Sequence, residues 1–250
     1  MVRVVAVVLT VVLFLIFAIP LQRMLKEEEK RNPQKAQEKS LGIVQSVFRF
    51  IFRLAGITYE VQGLENIPSD RAVLYVGNHR SYFDILIGYI TVPGLTGFVA
   101  KKEMSRIPLL RDWMERVNCL FLDRKNIKEG LKTILAGIEK IRHGVSVWIF
   151  PEGTRNTSQD IADLMIFHEG SLKIAEKSGC PIVPVAIKGT ADLFENHQPW
   201  VRPGHVVIRY GKPIYLKELT GDARKFPGSY TRNVISSMLK ELSEEQRELK

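Results

Sequence analysis

The stretch AVLYVGNHRSYFDILIGYI, residues 72–90, decides how the chain reads. Ala72–Val76 is an apolar run of strand length. Gly77-Asn78-His79-Arg80 is polar and turn-forming, and Ser81–Ile90 carries the apolar spacing of a helix. A strand, a short histidine-bearing loop and a helix make the opening of a parallel strand–helix–strand unit. The same grammar recurs outward from it. Further strands are expected at Tyr59–Gln62, Gly97–Ala100, Cys119–Leu122, Val145–Phe150, Ile182–Ile187 and Val206–Tyr210. Further helices are expected at Pro108–Arg116, Ile127–His143, Ser171–Ser178 (ended by Gly179) and Tyr230–Leu249. Strands alternating with helices predict an α/β fold: a largely parallel central sheet flanked by helices. In such sheets, function sits in loops beyond the carboxyl ends of strands.

Composition narrows the classes. Of 250 residues, 45% are apolar and 25% charged, ordinary globular usage that excludes a disordered, collagen-like or polytopic membrane chain. Lysine and arginine number 36 against 27 aspartates and glutamates, so the net charge is +9. That excess favours an anionic partner: nucleic acid, an acidic membrane surface or a phosphorylated substrate. Two isolated cysteines, Cys119 and Cys180, make neither a disulfide scaffold nor a four-thiolate zinc site. His79, His143, His168, His197 and His205 show no ligand-like pairing, which argues against a metal centre. Gly144-Val145-Ser146-Val147-Trp148 lacks the second glycine of a nucleophile elbow, and Gly211-Lys212 runs into Pro213 rather than completing a phosphate loop.

The N-terminus differs from the rest. Val4–Ile19 is apolar apart from Thr10 and is followed by Pro20. A helix of that length rises about 24 Å, short of a hydrocarbon core of about 30 Å. A cleaved signal would fit Arg3, but only Ala18 offers a small residue near the end. A buried soluble helix would not be so uniformly apolar, so a membrane-inserted anchor is favoured. Arg23, Lys26, Lys30, Arg31, Lys35 and Lys39 follow it, which by the positive-inside rule makes that side cytoplasmic. Leu41–Ile57 reads as a second helix, with Gln45, Ser46, Arg49 and Arg53 within an arc of about 100° and apolar residues around the rest. Such a helix suits a bilayer interface or, alternatively, a core-facing position. Residues 1–57 are therefore expected to form a membrane-associated helical hairpin with a polar connector over 26–40, ahead of an α/β domain over 58–250.

Two strand ends carry chemistry. His79 follows the first, and Asp84 falls in the first turn of the next helix. A carboxylate on one imidazole nitrogen fixes the tautomer and leaves the other as a base. Equally, Ser81-x-x-Asp84 has the spacing of a capping box. At the second, Pro151-Glu152-Gly153-Thr154-Arg155 offers close backbone approach at Gly153, the Thr154 hydroxyl and the Arg155 fork for a phosphate. It also reads as an ordinary strand-ending turn.

The pairing of Asn78-His79-x-x-x-x-Asp84 with Phe150-Pro151-Glu152-Gly153-Thr154-Arg155 is far more specific than either half. It resembles the glycerolipid acyltransferase family, in particular the 1-acylglycerol-3-phosphate acyltransferases. Cys119-Leu120-Phe121-Leu122-Asp123-Arg124 is similar to that family's second motif, and Ile182-Val183-Pro184-Val185-Ala186-Ile187 to its fourth. Ala100-Lys101-Lys102-Glu103, with Ile107-Pro108-Leu109 after it, is also similar. The resemblance covers roughly Tyr59 to Tyr215. Three features depart from the family pattern: Asn118 stands where glycine opens the second motif, Asn156–Met165 is polar and acidic where a short basic turn is common, and His168 replaces the usual lysine.

The resemblance implies a glycerophosphate acyltransferase-like fold and a set of roles. His79 would deprotonate the free sn-2 hydroxyl of lysophosphatidic acid, with Asp84 orienting it and Asn78 and Ser81 completing the motif. The acyl donor would be a thioester of acyl carrier protein or coenzyme A, with no other cofactor. Gly153 would steady the oxyanion through its amide, beside Thr154, and Glu152 would structure the loop. Arg155 and Arg124 would bind the phosphate, assisted by Lys101 or Lys102. Val183 and Pro184 would shape the floor of the acyl pocket. The product would be phosphatidic acid, made on the cytoplasmic face of the membrane. Another lysolipid acceptor is the nearest alternative. A membrane-tethered nucleic-acid-binding module is more remote, because the positive charge is dispersed and no helix-turn-helix is visible.

Overall fold

Seven strands form one sheet in the computed structural model, which describes residues 2–248 and side chains as far as 245. They are β1 (Ile57–Gln62), β2 (Leu74–Gly77), β3 (Thr96–Lys101), β4 (Leu120–Leu122), β5 (Ser146–Ile149), β6 (Ile182–Lys188) and β7 (Gly204–Tyr210), in the order β1-β7-β6-β2-β5-β3-β4. Strands β2 to β6 run parallel. β7 is antiparallel to β6 and carries β1 parallel to itself, so two reversed strands close one edge of a largely parallel sheet. Each expected strand coincides with one of these to within two residues at either end.

Alternation along the strands builds the layers. Tyr75, Trp148, Val183, Val185, Ile187, Val206 and Ile208 point into one core. Leu74, Val76, Val147, Ile149, Ile182 and Ala186 point into the other. The first core is covered by α1 (Val2–Phe17), α2 (Ile19–Arg31), α3 (Pro33–Ala55), α4 (Phe83–Thr91) and α5 (Pro108–Arg116). The second is covered by α6 (Ile127–Arg142), α7 (Lys173–Ser178) and α9 (Pro227–Glu248), with the short α8 (Gly221–Lys225) leading into α9. Leu249, expected to end the last helix, lies outside the described residues.

The N-terminal helical pair is present, but residues 26–40 are not a connector. α2 and α3 run through them, broken only at Asn32. The Asn32 side chain accepts from the Lys35 N–H at 3.0 Å and Pro33 opens the next helix, a strong start signal. Lysine, glutamate and glutamine are good helix formers, so a polar stretch need not be a loop. Lys39 pairs with Glu28 across the two helices. α3 ends at Ala55 rather than Ile57, because Gly56 takes the left-handed cap at φ 73° and β1 follows at once.

α3 faces the core. Ile51, Phe52 and Ala55 are buried, and the Phe52 ring lies 5.9 Å from Phe83 of α4 and 5.8 Å from Tyr59 of β1. Part of its polar arc is turned inward as well. Gln45 Nε2 donates to the Tyr89 carbonyl at 3.0 Å and Arg49 Nη2 to the Ile90 carbonyl at 3.2 Å, satisfying the exposed end of α4. α1 is apolar on both sides. Phe14 packs 4.9 Å from Trp113, while Val5, Val8, Leu9, Val12, Leu13 and Ile16 stay exposed. Among the described residues no single helix is long and apolar enough to cross a membrane. α1 and α2, bent by 52°, reach that length and composition only together.

Phe52→Ala should therefore cost about 3–5 kcal/mol of unfolding free energy, the range for a large buried aromatic. Phe50→Ala on the same helix, where the side chain is exposed, should stay within about 0.5 kcal/mol. Denaturant titration of the two variants measures the difference.

Candidate active site

The site begins where β2 stops. Asn78 carries the sheet ladder one residue further with its side chain: Nδ2 donates to the Ile187 carbonyl at 2.9 Å and Oδ1 accepts from the Ile187 N–H at 2.8 Å. This pins the next residue, His79, at the carboxyl end of the sheet. The His79 N–H donates to Glu152 Oε1 at 2.9 Å, and its carbonyl accepts from the Asn156 N–H at 2.7 Å. The ring stacks on Phe150 with centroids 4.2 Å apart and planes 13° from parallel. Nδ1 lies 2.9 Å from Asp84 Oδ2, which leaves Nε2 as the free ring nitrogen on a side chain 16% exposed.

Asp84 is fully buried. Its Oδ2 also accepts from the Arg80 N–H at 2.6 Å and the Ser81 N–H at 2.7 Å, and its Oδ1 accepts from the Thr190 hydroxyl at 2.5 Å. Ser81 Oγ in turn accepts from the Phe83 N–H at 3.0 Å. From the first turn of α4, Asp84 thus binds the amides of two residues just ahead of the helix and holds the imidazole at the same time. A buried carboxylate without donors would be prohibitive, and here each oxygen has them.

Glu152 does comparable work in the second loop. Its two oxygens accept from the His79 and Met165 N–H groups, at 2.9 and 3.0 Å. Burial pushes its carboxyl above the usual range, against the pull of those amides and of Asn156. Gly153 takes φ +75°, and its N–H donates to the Phe150 carbonyl at 3.0 Å. That bond closes a turn, so the Gly153 amide is not available to an oxyanion, contrary to the expectation from sequence. The Thr154 and Arg155 amides make no hydrogen bond to any described residue. A Cβ on Gly153 would sit 3.3 Å from the His168 ring and 3.4 Å from Arg124 Nη1, so the bare glycine is what lets both approach the turn.

Arg155 is less free than the sequence suggests. Its Nη1 donates to Glu195 Oε1 at 3.0 Å, and the guanidinium lies over the Tyr82 ring, 4.1 Å from the centroid. Lys101 is exposed at the end of β3, and Lys102 pairs with Asp123 at 2.9 Å beside Arg124. Val183 and Pro184 stand apart from this cluster. Both are buried inside β6, neighbours on a strand facing opposite sides. Val183 is level with Tyr75, two residues below the end of β2 and five below the end of β6. They cannot together floor one pocket. Asn118, the departure in the second motif, keeps a glycine-like φ of 63° and accepts from Lys140 Nζ at 2.8 Å.

Sequence reasoning missed Phe150 as the stacking partner, Tyr82 under the arginine, and Thr190 and Glu195 beyond β6. The last two lie just past the carboxyl end of a strand. The rule that singled out His79 and Glu152, applied to β6, points to them.

Residues 58–188, the segment holding both strand-end loops, match the family described as Acyltransferase. The chain belongs to the acyltransferase family. It is 36% identical over 163 residues to a 1-acyl-sn-glycerol-3-phosphate acyltransferase of Borreliella burgdorferi; that match covers 65% of this chain and spans 61% of the relative's own length. It is 30% identical over 212 residues to the protein of the same name from Haemophilus influenzae, covering 82% and 84% of the two chains. The crystal structure of a 1-acyl-sn-glycerophosphate acyltransferase from Thermotoga maritima is similar over 97% of this chain and 95% of its own, with a TM-score of 0.82 at 26% identity.

Glu152→Gln tests the bracing role. A glutamine has one acceptor oxygen for two amide donors, so one N–H would face an NH2 group, at a cost of about 1–3 kcal/mol. The variant should lose stability and activity together, with a lowered Tm by calorimetry.

Proposed function

We propose that the protein transfers a fatty acyl group from an acyl thioester, carried by acyl carrier protein or coenzyme A, to the free sn-2 hydroxyl of 1-acylglycerol-3-phosphate, yielding phosphatidic acid. The observation that carries this reading is the His79–Asp84 contact at 2.9 Å, set at a sheet end with the carboxylate fully buried. The names of the similar proteins support the substrate.

In this reading His79 Nε2 takes the proton of the acceptor hydroxyl, and Asp84 stabilises the imidazolium that forms. The alkoxide oxygen attacks the thioester carbonyl and forms the new C–O bond. The Thr154 and Arg155 amides are the donors left to meet the oxyanion. Collapse breaks the C–S bond, and the leaving thiolate takes the proton from His79. Neither cysteine suits a covalent route, because both are buried and burial pushes their thiols up. The unengaged edge of Arg155, with Arg124 nearby, receives the acceptor phosphate.

The acceptor is an anionic lipid, and the exposed apolar side of α1 on a chain of net charge +9 suits a protein resting on an acidic bilayer. Full extraction of the acceptor's tail into water would cost about 0.8 kcal/mol per CH2, so catalysis at the surface is favoured. The lysines and arginines that follow α1 support a site on the cytoplasmic side of the membrane.

The test is an assay of purified protein with lysophosphatidic acid and each acyl donor, measuring phosphatidic acid. His79→Ala should lower turnover by about 10²–10⁴. Asp84→Asn is sharper. An amide oxygen can accept from the Arg80 and Ser81 amides, and Thr190 can rotate to accept from the new NH2 group. The fold should survive with a Tm shift of only a few degrees, while most activity is lost, and the double variant should be scarcely worse than His79→Ala alone. Near-normal turnover by Asp84→Asn would reduce Asp84 to a helix cap and remove the mechanism.

A further inference from the structure

The segment after β6 sends two side chains into the site. Thr190 donates to Asp84, and Glu195, five residues on, meets the arginine. One Glu195 oxygen accepts from both Arg155 Nη1 at 3.0 Å and the Tyr82 N–H at 2.9 Å. The side chain is 12% exposed, against 32% for Arg155. Its other oxygen, Oε2, is buried without a partner. Burial with an incomplete set of donors is unfavourable for a carboxylate, and ion pairs of this kind add little net stability. What the arrangement supplies is immobility. Glu195 fixes one edge of the guanidinium and Tyr82 fixes its face, while Nε and Nη2 make no hydrogen bond among the described residues.

We propose that Glu195 is a positioning residue that holds Arg155 so that its free edge receives the acceptor phosphate at a fixed place relative to His79. The inference rests on the reading that the acceptor carries a phosphate. It gives the segment after β6 two duties: Thr190 braces the carboxylate behind the base, and Glu195 braces the phosphate ligand. Geometry is the contribution of Glu195. Its charge works against binding, since a carboxylate beside a phosphate repels it.

Glu195→Ala and Glu195→Gln separate these effects. Glutamine keeps a carbonyl oxygen for both donors and places its amide where the unpartnered oxygen stands. In steady-state kinetics with the full chain, Glu195→Ala should raise the KM for lysophosphatidic acid about tenfold, leaving the KM for the acyl donor unchanged. Glu195→Gln should match the unaltered chain to within about twofold or bind the acceptor more tightly. In an Arg155→Ala background, Glu195→Ala should add less than about twofold, because the residue it positions is gone. The proposal is overturned by an unchanged acceptor KM in Glu195→Ala, by Glu195→Gln behaving like alanine, by equal loss for both substrates, or by a full effect without Arg155. Calorimetric Kd values for lysophosphatidic acid in the same preparations keep the two readings apart. Binding without acylation by the unaltered chain would defeat the proposed reaction while the order of Kd values still judged Glu195. Absence of binding would defeat both.

Discussion

The site hangs on one buried charge. Asp84 has no exposed surface, yet its carboxylate meets the His79 ring, the Arg80 and Ser81 amides and the Thr190 hydroxyl. An ion so placed is tolerable only while every partner stays in position. The demand therefore runs outward. The loop after β2 must curl so that two consecutive amides point at one oxygen. α4 must start where its first turn presents the carboxylate. β6 must end level with that turn so that Thr190 can reach it. Each requirement belongs to a different part of the chain, and the carboxylate ties them together.

A second buried carboxylate repeats the device with a different result. Glu152 binds the amide of His79 from one side and that of Met165 from the other, so the histidine is gripped through its backbone as well as through its ring. Asp84 touches the imidazole and Glu152 does not. Substituting an amide for either carboxylate thus probes different physics. At Asp84 the neighbouring hydroxyl can reverse its role, whereas at Glu152 both partners are backbone donors and neither can.

The sheet was legible because its strands are short β-branched and aromatic runs bounded by turn residues, and local pattern suffices to place them. The His79–Asp84 contact was legible because the two lie five positions apart in sequence, within reach of a single turn. The rest depended on contacts between distant parts of the chain. Glu195 lies 40 residues from Arg155, and Thr190 lies 106 from Asp84. No periodicity encodes such pairs. The Gly153 amide failed as an oxyanion donor for a local reason: a glycine at positive φ in a tight turn uses its own N–H to close that turn. The polar stretch at 26–40 is helical rather than a connector, because long charged side chains propagate helices well and Asn32-Pro33 is a restart signal.

The placement of α3 changes what membrane attachment would mean for catalysis. A detachable anchor would leave the loops untouched on removal. Instead Phe52 of α3 packs against Phe83, the residue beside Asp84, and Arg49 and Gln45 complete the far end of the same helix α4. α4 is thus held at both ends by the N-terminal helices, and its first turn carries the carboxylate on which the site depends. Removing residues 1–57 would strip one layer from the first core and uncover Phe83, a side chain worth about 1.5–3 kcal/mol of burial. The exposed apolar side chains of α1 and the turn that holds His79 are therefore linked through one packed helix, α3, so displacement of the N-terminal helices reaches the site through Phe83.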